Sequence, residues 1–168
     1  MKKYALYIRT TTENKEAAIQ ESILKKYVNK TCKKEPCEIA GVFVDECQSG
    51  KTIDRPALKK LAQDIQNNKI DTMLVSELSR LSIYTEELLN IIRWLTEMNK
   101  RLIAVNDDFD STRPRENYIF QVTEILQKQR PLLLEEEQQL EATKWSSSKL
   151  HKCLESIKKV KKFFLWNT

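Results

Sequence analysis

Apolar and polar positions alternate with two periods along the first hundred residues, and each change of period marks an element. "KYALYIRT", Lys3 to Thr10, is an apolar, β-rich run that predicts a strand. Glu13 to Asn29 follows helical spacing, with Ala17, Ile19, Ile23, Leu24 and Tyr27 as the expected inner positions. "EIAGVFVDE" predicts a second strand, "IDTMLVSEL" a third and "RLIAVND" a fourth. Between them, "RPALKKLAQDIQNN" reads as a helix with Asp54 as N-cap and Pro56 in its first turn. "TEELLNIIRWLTEMNK" reads as a strongly amphipathic helix. This alternation implies an α/β fold of three layers, a mostly parallel sheet flanked by helices. Ligands of such sheets gather at the carboxyl ends of the strands. "IRTTT", "VDECQSGKT" and "SELSRLS" all leave strands at that edge.

After "DDFDSTRPRENY" the alternation stops, and a C-terminal helical extension is expected. Tyr118, Ile119, Val122, Ile125 and Leu126 form one apolar stripe. Pro131 lacks an amide donor and clashes with the preceding turn, at about 3 kcal/mol in a helix interior. A kink or restart is therefore expected near Arg130. "PLLLEEEQQLEATK" suits a new helix, with three glutamates near the positive end of its dipole. "WSSS" reads as a hinge or N-cap. Beyond it Leu150, Cys153, Leu154, Ile157, Val160 and Phe164 line one stripe against lysines. The expected divisions are 1–112 for the α/β body, 113–143 for a long or kinked helix that pairs subunits, and 144–168 for a basic amphipathic tail.

Charge sharpens this picture more by distribution than by size. The net charge is +5. Lys144 to Thr168 holds seven lysines and one glutamate, +6, whereas Arg130 to Thr143 holds one arginine and four glutamates, −3. A basic tail suits a polyanion, a partner protein or docking on the body. No apolar run approaches the roughly 18 residues needed to cross a bilayer, and the N-terminus turns polar too early for a signal peptide. The cytoplasm is the default compartment, and a membrane partner is not expected. Cys32, Cys37, Cys47 and Cys153 lack zinc spacing, and His151 is distant, so reduced thiols and no metal are expected.

Two motifs at the strand ends invite chemistry. "QSGKT" falls short of a phosphate-binding P-loop, since Asp45 stands where a glycine is needed and the helix starts well after Lys51. No nucleotide or other cofactor is expected. Arg9, Arg55 and Arg80 each sit just past a strand or at a helix start on the same edge. Guanidinium forks match phosphate oxygens bidentately. They also stabilise the charge that grows on a pentacoordinate phosphorus. Thr11 places a hydroxyl beside them.

"YIRTTTENKEAAIQ", "VDECQSGKTIDRPAL" and "IDTMLVSELSRLS" together resemble the catalytic domain of the serine recombinases, the resolvase and DNA invertase family. The resemblance runs from about Lys3 to Ser111. It implies a serine hydroxyl that attacks a DNA phosphodiester in line, a 5′-phosphoserine link, strand exchange between subunits, and neither metal nor nucleotide. Tyr7, Arg9 and Gln20 fall where the family has its tyrosine, first arginine and glutamine. Ser49 and Gly50 match its mobile loop, Asp54, Arg55 and Pro56 its Asp-Arg-Pro, and Arg80 with Leu81 its last motif. Three positions depart from it: Thr11 replaces the nucleophilic serine, Ser79 an aspartate and Ile83 a second arginine.

The resemblance therefore implies catalytic positions at Thr11, Arg9, Arg55 and Arg80, with Tyr7, Gln20, Ser49 and Asp54 binding phosphate or supporting them. Three readings follow. The first is a degenerate recombinase domain that binds DNA weakly or non-specifically and acts as a homodimer or in mixed oligomers with an active recombinase. The second is an active recombinase or nicking enzyme using Thr11. The third is a non-enzymatic protein-interaction module.

Overall fold

An interior strand of the sheet, β1 (Lys2–Arg9), buries side chains on both faces, and its two-residue period sorts them. Tyr4, Leu6 and Ile8 enter one apolar cluster, while Ala5 and Tyr7 enter the other. A computed structural model describes residues 1–11, 16–112 and 118–144. Around β1 it places α1 (Glu16–Cys32), β2 (Cys37–Asp45), α2 (Pro56–Gln66), β3 (Thr72–Val75), a 3₁₀ turn (Leu78–Arg80), α3 (Thr85–Glu97), β4 (Arg101–Ala104), β5 (Phe109–Asp110) and α4 (Tyr118–Lys144).

The sheet order is β2-β1-β3-β4-β5, parallel except for β5. Leu24 and Val28 of α1 cover one face with Leu74 and Ile103. On the other face α2 contributes Leu58, Leu61 and Ile65, α3 Leu88, Ile91, Ile92 and Leu95, and α4 Val122, Leu126 and Leu133. This is the expected three-layer α/β sandwich followed by a helix. Each fully buried aliphatic chain contributes about 1.5–3 kcal/mol relative to exposure.

Five local expectations are corrected. On α1 the buried stripe is Gln20, Leu24 and Val28, while Ile19 is 59% exposed. Gln20 takes an inner position because its amide is needed there, which rotates the stripe away from Ile19. Asp54 does not cap α2. The N-cap is Arg55, which makes no side-chain cap bond. Asp45 caps from outside the helix, its Oδ1 and Oδ2 accepting the amides of Ala57 (2.9 Å) and Leu58 (3.0 Å). Cys32 and Cys37, expected as reduced thiols, are joined as a disulfide across the turn between α1 and β2. Strand β5 had no signal in the alternation. Its turn passes through Asp108 at φ 49° and buries Phe109.

The fifth correction concerns Pro131, which lies inside α4 and does not restart it. Val122 and Leu126 before it and Leu133 and Leu140 after it share one buried stripe, so packing offsets the lost backbone bond. The three glutamates therefore sit in mid-helix rather than at a helix N-terminus. The expectations for Thr12, for the side chains of Tyr118 and Ile119, and for the "WSSS" segment and basic tail fall outside the described residues.

Candidate active site

Parallel pairing aligns the ends of three strands. Arg9 closes β1 opposite Asp45 of β2, and the Thr10 amide extends that ladder by donating to the Asp45 carbonyl (3.1 Å). The Gln48 amide returns to the Thr10 carbonyl (2.9 Å) and folds the 46–50 loop over the edge, with Cys47 at φ 53°. β3 leads into the 3₁₀ turn that carries Ser79 and Arg80. Four chain segments thus converge at one carboxyl edge.

The three predicted arginines meet there. Arg9 is fully buried. Its Nε donates to the Arg80 carbonyl (3.3 Å), Nη1 to the Gln48 carbonyl (2.9 Å) and Nη2 to the Ser79 carbonyl (3.2 Å). Arg55 is equally buried and donates to the carbonyls of Thr52 (2.7 Å), Arg80 (2.8 Å) and Leu81 (2.5 Å) and to Tyr7 Oη (2.7 Å). The Arg80 carbonyl is their shared acceptor. These two guanidiniums hold the 3₁₀ turn from below.

Arg80 itself is held by carboxylates instead: Glu16 (3.0 Å) and Glu136 (3.5 Å) on Nη1, and Glu77 (3.0 Å) on Nη2. Its Nε is buried with no hydrogen-bond partner among the described residues. Burial first, then the charges of Arg55 and Arg80, lower the Arg9 guanidinium to about 10. It remains charged at neutral pH.

The supporting residues have separate tasks. Tyr7 Oη donates to Asp45 Oδ2 (2.9 Å) while accepting from Arg55, and burial pushes its phenol well above the ordinary value. Tyr7 is therefore a neutral hydroxyl that links a buried carboxylate to a buried guanidinium. Gln20 donates to the Arg9 carbonyl (2.9 Å) and ties α1 to the site. Ser49 Oγ donates to Glu137 (2.6 Å). Asp54 points away to an ion pair with Lys59. Thr11 is buried two residues beyond Arg9. Ile83 packs against the apolar core, and its Cγ2 lies 2.8 Å from where a Cβ on Gly50 would stand.

Sequence reasoning missed Asp45, Glu16, Glu77, Glu136 and Glu137. Asp45 had a signal, as an acidic residue four positions before Ser49 at the end of a predicted strand. The four glutamates had none, because each comes from a different place along the chain or faces inward only once α4 docks. Among the described residues, no group of three or more His, Cys, Asp or Glu side chains could hold a metal ion.

A family model described as "Resolvase, N terminal domain" matches residues 4–149. The chain belongs to the resolvase N-terminal domain family. This resolvase domain is 28% identical over 130 residues to the serine recombinase Gin of Escherichia phage Mu, covering 77% of the chain and 61% of that protein. It is 31% identical over 105 residues to a protein named as a DNA recombinase in Bacillus subtilis (strain 168), covering 62% of the chain and 21% of that protein. The chain thus spans less than two thirds of either relative. It also resembles the solved N-terminal catalytic domain of TP901-1 integrase, with a TM-score of 0.64 and 27% identity over 78% of the chain and 98% of that domain. The fold is that of a serine recombinase catalytic domain. No described helix is long and apolar enough to cross a membrane.

Proposed function

We propose that this resolvase domain binds DNA phosphates at the arginine edge, that its transesterification chemistry is weak or lost, and that it acts on DNA in mixed assemblies with an active recombinase. The carrying observation is the division of labour among the three arginines. Arg55 commits four of its five N–H donors, and Arg9 three, to protein acceptors. Arg80 is held mainly by exchangeable carboxylates, while Arg9 reaches only Glu136 and at 3.9 Å, so Arg80 is the guanidinium that a phosphate would engage first.

In the reaction class of the family, Thr11 Oγ would attack phosphorus in line and expel a 3′-oxygen, with Arg80 neutralising the equatorial oxygens. The threonine methyl stiffens χ1, and a misplacement near 1 Å costs about a hundredfold. A second cation at position 83 is replaced by the apolar Ile83, and losing such a donor costs on the order of 10²–10³. Both effects fall on the same step.

The test is a supercoiled plasmid carrying the native flanking DNA, incubated with the protein and then protease-treated. The expected result is duplex binding whose affinity falls with salt and little covalent adduct. The Thr11→Ser, Ile83→Arg double variant is expected to recover adduct. Absence of binding at about 50 mM salt defeats the reading. A strong adduct from the unaltered chain that disappears in Thr11→Ala establishes the active alternative instead.

A further inference from the structure

The acidic face of α4 fills the anion-binding edge. Glu137 is 3% exposed, a rare state for a carboxylate unless hydrogen-bonded. Its Oε2 accepts Ser49 Oγ at 2.6 Å and its Oε1 accepts the Gly50 amide at 2.7 Å, with Lys51 Nζ 3.8 Å away. The neighbouring Glu136 lies 3.5 Å from Arg80 Nη1 and 3.9 Å from Arg9 Nη2. Two adjacent carboxylates therefore take a hydroxyl, a backbone amide, two guanidiniums and an ammonium. That is the donor set of an oxyanion site. Leu133 and Leu140, one turn before and about one turn after, are buried and clamp this face in place.

We propose that Glu136 and Glu137 act as an internal phosphate mimic: docked α4 occupies the donors of Ser49, Gly50, Arg9 and Arg80, and a phosphate must displace it. The proposal rests on the phosphate-binding reading above and assigns its regulation. Direct competition follows from geometry, since a donor held at 2.6–2.7 Å by one oxygen has no room for another. The unpartnered Arg80 Nε marks capacity that the glutamates leave unused. Pro131 supplies the hinge. It removes the amide that would bond the exposed Gln127 carbonyl, immediately before the docked stretch. Val122 and Leu126 hold the first half of the helix in the core, so displacing the second half gives up only the burial of Leu133 and Leu140.

The experiment titrates inorganic phosphate, and separately duplex DNA, against the full chain while following the Gly50 amide by NMR. Glu136→Ala with Glu137→Ala empties the site. Glu124→Ala with Glu135→Ala removes the same charge from exposed positions of α4. Freeing the competent state should tighten phosphate binding about tenfold beyond the control pair, with a matching gain for DNA. Pro131→Ala, which stiffens a folded helix, should weaken phosphate binding relative to the unaltered chain. A phosphate gain without DNA binding in any variant keeps the mimic and defeats the DNA reading. No phosphate gain beyond the control pair overturns the mimic, whatever the DNA result.

Discussion

The two ends of the sheet both carry ion pairs and use them in opposite ways. At the amino end, Lys2 meets Glu35 at 2.7 Å with both side chains a third or more exposed, and Lys100 reaches Asp71 at 3.5 Å. Water competes for at least one partner of each pair, so such pairs contribute little. At the carboxyl end, Arg9, Arg55 and Asp45 are sealed from water, and their donors and acceptors are consumed by backbone groups and Tyr7. Removing one member there strands several others. The contrast teaches that burial, rather than the count of ion pairs, decides which charges hold the fold. The carboxyl edge is a charged core.

Breaking that edge should have the largest effect. Arg55→Ala leaves the carbonyls of Arg80 and Leu81 and the Tyr7 hydroxyl short of a donor, and should cost about 3–5 kcal/mol in urea unfolding. A loss below about 1 kcal/mol would erase the contrast between the two ends. Asp45→Ala should come next, at about 2 kcal/mol, because it removes the cap of α2 together with the Tyr7 acceptor. Phe substituted for Tyr7 in the same background should cost less than in the unaltered chain, since the bond to Asp45 is already gone and only the bond from Arg55 is lost.

A smaller effect is expected at the amino end, where Arg101 opens β4 and pairs with Asp110 of β5. Burial raises the Asp110 carboxyl, but Arg101 and Thr112 outweigh it and hold the group at about 2, below the ordinary 3.8. Its folded value is depressed, so its contribution is present above pH 3.8 and is lost as pH falls toward about 2. Asp110→Asn should flatten the acid limb of the stability curve over that window. An unchanged limb would show that Arg101 contributes nothing there. The smallest effect belongs to Lys2→Ala, which should leave thermal and urea unfolding essentially unchanged, at low salt and at high salt alike.

Legibility in the sequence followed the same divide. Elements built from unbroken apolar periods, such as β1, α2 and α3, were readable because burial repeats every two or every three to four residues. Where a polar side chain takes an inner position, the period misleads: Gln20 displaced Ile19 from the stripe of α1. Caps supplied from a distance were also hidden. Asp54 had the right residue type at the right place, yet the aspartate that caps α2 belongs to β2. The convergence of Arg9, Arg55 and Arg80 was legible because parallel strands deliver their ends to one edge. What each guanidinium does there was not, because that depends on which carbonyls and carboxylates lie within 3 Å.

Composition and order of residues alone determined a layered α/β body, its carboxyl edge and the three arginines that meet there, since those follow from periodicity and chain direction. Only the tertiary structure decided that Pro131 leaves α4 unbroken and that Glu136 and Glu137 turn inward onto Ser49, Gly50 and Arg80. A helix places its side chains by its docking angle, which is set by packing against residues nearly ninety positions away in the chain.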